Sequence, residues 1–151
     1  MKDTMLSKFL YGICVIGLIV LGGIIVSLPW GINVLINISG VYLEKHYMKL
    51  LILLYVTGVP AWLIVWQTKV LAKNIIDSVP FSELSIKAIK KISLCSLFIS
   101  VVYTFSLVLL PFNLSVVIII IGSFLVALIG TILYKLVQQA MHIQDENDLT
   151  I

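Results

Sequence analysis

Four long runs without a charged side chain dominate this sequence: Phe9–Leu28, Leu50–Trp66, Ile92–Leu110 and Val116–Tyr134. Each approaches the ~20 residues that a helix needs to cross the hydrocarbon of a bilayer. Only 11% of the residues are charged, against about 25% in a soluble domain of this size. The runs account for the difference. They predict an all-α membrane protein with four transmembrane helices, a single integral membrane domain over residues 1–151, and no room for a second domain. For the last run, about fifteen apolar residues give a favourable insertion on the order of −5 to −9 kcal/mol before polar costs.

The chain between the runs sets the expected architecture. Phe9–Leu28 is longer than the apolar core of a signal peptide and lacks a small-residue cleavage site, so it reads as an uncleaved span. Gly12, Gly17, Gly22 and Gly23 would let a second backbone approach it. Pro29-Trp30-Gly31 is expected to end it, with Trp30 as an interfacial anchor. An external loop, 29–49, follows, in which Ile32–Tyr47 reads either as a strand or as a short interfacial helix. Pro60 predicts a kink near Thr57–Gly58 in the second span. Between spans 2 and 3, the segment Gln67–Lys91 carries five lysines. Val70, Leu71, Ile75 and Ile76 predict an amphipathic helix continuing from span 2 along the membrane surface. Val79-Pro80 should stop it. Ser82 should cap a new helix, with Glu83 in its first turn, running directly into span 3. Pro111–Ser115 predicts a tight hairpin to span 4, and Leu136–Gln144 can extend that helix into the tail, residues 135–151.

All ten basic residues are lysine, which argues against nucleic-acid reading, since Arg makes the commonest base contact. Their distribution predicts orientation. Lys2, Lys8, Lys69, Lys73, Lys87, Lys90, Lys91 and Lys135 fall on one side, and Lys45 and Lys49 on the other. The positive-inside rule then puts both termini and the central loop in the cytoplasm.

Candidate chemistry is sparse. Cys14 and Cys95 lie inside spans and read as packing residues. His142 and Glu146, with Asp145, can share a helix face but do not make a metal ligand set. No nucleophile–base set or phosphate-binding loop stands out. No Asp, Glu, Lys, Arg or His lies within the four predicted cores, whereas ion and proton pathways usually carry one. No enzyme, cofactor or metal is expected. Ser93, Ser96, Ser100 and Thr104 line one helical stripe, either a packing seam or a polar groove for a solute. Ser123, Ala127 and Thr131 offer it a matching ridge on span 4. The expected contact is the acidic tail docked on the basic central loop, or both engaging one partner: Lys87, Lys90 and Lys91 on one side, Asp145, Glu146, Asp148 and the Ile151 carboxylate on the other.

The chain resembles the bacterial membrane proteins grouped as domain of unknown function 2975. The resemblance covers essentially the whole chain. It rests on the four spans, on the Asn74–Pro80-Phe81-Ser82 segment leading into a basic helix, and above all on the close Asp145-Glu146-Asn147-Asp148-Leu149-Thr150-Ile151. The chain departs from the family at Ser82-Glu83-Leu84-Ser85, where an acidic-Asn pair commonly follows Pro-Phe. Members are often encoded beside a small Xre-type helix-turn-helix regulator, which implies a signalling role with a DNA-binding partner. The expectation is therefore a non-enzymatic multi-pass protein of the bacterial cell membrane, a sensor or regulatory partner that binds a cytoplasmic regulator and can form homo-oligomers in the bilayer. The alternative is a small-solute or peptide transporter, or an immunity-type membrane protein, using the Ser93–Thr104 stripe and the Pro60 kink.

Overall fold

The computed structural model describes residues 2–39, 46–79, 81–110 and 114–148. Ile151, Pro80, Lys45 and most of the predicted 111–115 turn lie outside the described residues, and of Asp145 and Asp148 the helical backbone alone is described. Every regular element described is a helix: α1 Lys2–Ser39, α2 Tyr47–Ile76, α3 Glu83–Leu109 and α4 Leu114–Asp148. Each contains a stretch long and apolar enough to cross a membrane: Met5–Val34, Tyr47–Ile76, Glu83–Leu109 and Leu114–Ile143. A 30-residue helix is about 45 Å long at 1.5 Å per residue, against about 30 Å of hydrocarbon. The helices therefore outrun the apolar layer, and their ends form surfaces of their own.

α1 does not end at Pro29. It continues unbroken to Ser39, so the strand or separate interfacial helix expected after Trp30 is instead helix as far as Ser39. A proline removes one backbone donor, and a helix in lipid tolerates that loss when its surroundings hold the flanking turns. Here they do, because Ile32, one turn beyond, is 3% exposed. α2 likewise runs through Pro60 as one hydrogen-bonded element. Thr57 sits beside this proline, but its hydroxyl donates to Leu53 O at 2.8 Å and not to Val56 O, the carbonyl that Pro60 leaves without its usual donor.

Consecutive helices pack in pairs, α1 on α2, α2 on α3 and α3 on α4. The first pair is stitched by Trp62 Nε1, which donates to Leu18 O at 3.3 Å. α1 and α4 do not form a comparable pair among the described residues. They face each other across an apolar cleft of about 280 Å³ lined from all four helices, including Ile25, Thr57, Ile99 and Ile119. The residues taken out of contact with the surroundings are as often polar (Ser7, Thr57, Asn74, Ser85, Ser96, Ser100, Ser106) as apolar (Cys14, Leu18, Ile32, Ala72, Ala88, Ile99, Ala127). Large side chains such as Val26, Phe105, Val108 and Ile118 point outward. That inversion of a soluble core follows from a solvent as apolar as leucine: small residues and hydroxyls bring helices together, and bulk faces lipid.

Candidate functional site

A buried polar contact lies where α2 turns into α3, at the end that carries the lysines. α2 ends at Ile76, before Val79-Pro80 can act on it. Val79 N–H donates to Asn74 O at 2.9 Å and Ser78 N–H to Ile75 O at 3.2 Å. This is the six-to-one and five-to-two pair of a Schellman ending, with Ser78 in the left-handed position at φ 60°, where glycine is usual. Ser82 then caps α3 as expected, its Oγ accepting from Ser85 N–H at 3.2 Å, with Glu83 in the first turn.

Asn74 ties the two caps together. Its side-chain amide donates to Ser85 Oγ at 2.9 Å and to Ser82 Oγ at 3.4 Å, while its own carbonyl holds the Schellman bond. The two serine hydroxyls lie 3.1 Å apart. Asn74 and Ser85 are buried, and Ala72 and Ala88 beside them are 0% and 1% exposed. Small side chains let the backbones meet, and the amide satisfies the polar groups trapped between them. Sequence reasoning missed Asn74 and Ser85. The available signal was an asparagine eight residues before a serine N-cap, inside the segment that carries the family resemblance. Around this knot the apolar side chains Ile75, Val79, Phe81 and Leu84 stand exposed.

The hydroxyl stripe of α3 resolves into a packing seam against α4. Ser93 Oγ donates to Ala127 O at 2.7 Å and lies 2.8 Å from Thr131 Oγ1. Ser100 Oγ donates to Ile120 O at 3.2 Å, and Ser96 is buried. Thr104 bonds to Ser100 O within its own helix, at 2.8 Å. On α4 the ridge includes a residue the sequence reading omitted. A Cβ on Gly130 would stand 3.0 Å from Ser93 Cβ, so the absence of a side chain there lets the two helices approach closely.

The lysines gather at the same end. Lys69 Nζ sits 4.5 Å from the Trp66 ring centroid and 5.8 Å from that of Tyr11. Lys90 Nζ is 5.8 Å from the Tyr134 centroid, and Lys91 is exposed. Lys87 pairs with Glu83 at 3.1 Å, and His142 with Glu146 at 3.3 Å, each one turn apart on its own helix. α4 runs past Tyr134, and a groove of about 380 Å³ separates Gln138, Met141 and His142 from Glu83, Ile86 and Lys87. The tail helix and the central basic segment are thus brought side by side. Among the described residues no three His, Cys, Asp or Glu side chains converge as a metal site would need.

The fold defines a multi-pass membrane protein with four helices long and apolar enough to cross a bilayer. The chain belongs to the family described as protein of unknown function (DUF2975), whose model matches residues 28–151. It is 31% identical over 117 residues to the uncharacterized membrane protein YoaS of Bacillus subtilis (strain 168), a match covering 70% of this chain and 73% of that one. No solved structure matches the chain.

Proposed function

We propose that this protein is a non-enzymatic relay in the bacterial cytoplasmic membrane. In this reading both termini and the α2–α3 turn lie in the cytoplasm, and the turn passes a membrane or envelope condition to a cytoplasmic helix-turn-helix regulator. The lysine asymmetry supports the orientation, eight of ten lying toward the end that holds the α2–α3 turn. The helical continuations Gln67–Ile76 and Glu83–Lys91 serve as the amphipathic cytoplasmic arms of the hairpin, rising about 15 Å beyond Trp66 at 1.5 Å per residue.

The observation that carries the relay reading is the tip itself. A hydrogen-bonded helix ending displays Val79, Phe81 and Leu84, each more than half exposed, beyond the apolar run of α2 and so, in this reading, in water. A cluster of large apolar side chains held out in water by a buried polar knot marks a protein contact. Lys87 and Lys91, both exposed on the same helix, give it a charged rim, and the acidic tail is the second contact in this reading.

The test is a crosslinked pull-down from native membranes using the intact chain, a chain ending at Gln144, and Phe81→Asp in the intact chain. A buried aromatic anchor is commonly worth 2 kcal/mol or more. Phe81→Asp should therefore reduce recovery of a DNA-binding regulator by at least about tenfold, while the chain ending at Gln144 reads the contribution of the tail. Failure of the intact chain to recover a regulator, or full recovery with Phe81→Asp, would reject the relay through the tip.

A further inference from the structure

A second groove at this end has a different chemistry. It lies between α3 and α4, holds about 250 Å³, and is lined by Lys90, Ser93, Leu94, Leu97, Thr131 and Tyr134. We propose that it binds one anionic phospholipid of the adjacent leaflet, with the lipid phosphate on Lys90 and an acyl chain along Leu94 and Leu97. The inference goes beyond the relay and does not require it.

Position sets the polarity of the site. Lys90 lies just before the apolar run of α3, and Tyr134 is the last residue of the apolar run of α4, followed by Lys135. Their side chains therefore meet at the level of the headgroups. Leu94 and Leu97, one and two turns deeper, are 66% and 43% exposed and face hydrocarbon. A cation above an apolar trough is the arrangement a phospholipid fills, and basic recesses between helices are known headgroup sites. Lys87 and Lys91 stand on the same helix within one turn of Lys90 and add to the positive field.

The groove floor leaves the selection to Lys90. Ser93 Oγ, Thr131 Oγ1 and Ala127 O are mutually within 2.7–2.9 Å, and the two hydroxyl protons are engaged within the protein. Both hydroxyls also lie about one turn deeper than Lys90 and Tyr134, on the acyl side of the phosphate. The ammonium of Lys90 therefore sets the preference, for a headgroup with net negative charge such as phosphatidylglycerol over zwitterionic phosphatidylcholine.

Native mass spectrometry of the intact protein, released from micelles containing equal phosphatidylglycerol and phosphatidylcholine of identical chains, tests this. The expected result is one retained lipid, with phosphatidylglycerol preferred. Lys90→Ala should cut the preference about fivefold, the equivalent of ~1 kcal/mol per lysine near an anionic headgroup, and Lys90→Arg should retain it. Lys69→Ala, which removes a cation from the α1–α2 side at the same end, should leave it unchanged. Absence of preference in the unsubstituted protein, or an equal loss in Lys69→Ala, would overturn the proposal. Lys90 is exposed and forms no salt bridge among the described residues, so its replacement leaves the fold intact.

Discussion

The two ends of the α2–α3 hairpin are built on opposite plans. At the turn, alanines at 0% and 1% exposure let the helices touch, and Asn74, Ser82 and Ser85 close the space with hydrogen bonds. At the far end Ile52, Leu53 and Val56 diverge from Val102, Phe105 and Leu109 around an apolar cleft of about 310 Å³. There the polar link between the helices is Lys49 Nζ, which donates to Leu109 O at 3.4 Å and places a cation at the negative end of the α3 dipole. In water an apolar cleft would be filled or collapsed by the hydrophobic effect. In lipid it can be left open, because acyl chains occupy it at little cost. A polar knot has no such substitute, so it must be completed by the protein itself. The closed end is therefore the one able to hold a defined surface.

This contrast can be broken most directly at Asn74. Asn74→Ala removes both amide bonds and leaves the buried Ser85 hydroxyl without its amide donor. It should lower unfolding free energy in micelles by about 2–3 kcal/mol and open the 77–81 turn to protease. Overpacking gives a paired measurement. Ala88→Leu at the closed end should cost about 1–3 kcal/mol, whereas Val102→Leu beside the cleft should change stability by less than about 0.5 kcal/mol, since the space is already there. Equal effects would show that the ends are packed alike. Ser78→Gly should raise stability by about 0.5–1 kcal/mol, because a left-handed C-terminal position favours glycine. The smallest effect is expected at the open end: Lys49→Ala should cost about 0.3–1 kcal/mol at low ionic strength and less as salt screens the dipole.

Much of the architecture was legible beforehand, and for a simple reason. A charge-free run near twenty residues has few alternatives in a bilayer, so the number and type of elements follow from local composition. Ser82 was equally readable, because an N-cap is decided by the few residues after it. The helix ends were not. Pro29 looked like a stop and is not one, since the turn beyond it is held by the burial of Ile32. Pro80 looked like the stop of α2 and is pre-empted by the Schellman bonds at Ser78 and Val79. The hydroxyl stripe was visible as a period, but whether it faced a helix or a solute depended on where α4 came to lie.

The sequence by itself determined that this protein carries four helices long and apolar enough to cross a membrane and that its lysines collect toward one side, because hydropathy and charge are properties each segment carries alone. The tertiary structure decided what those segments make together. It brought Asn74 to Ser82 and Ser85, set Gly130 against Ser93, left the far end of the hairpin open, and left Phe81 exposed beside the turn. These are contacts between elements, and they depend on helix rotation and depth, which no single segment specifies.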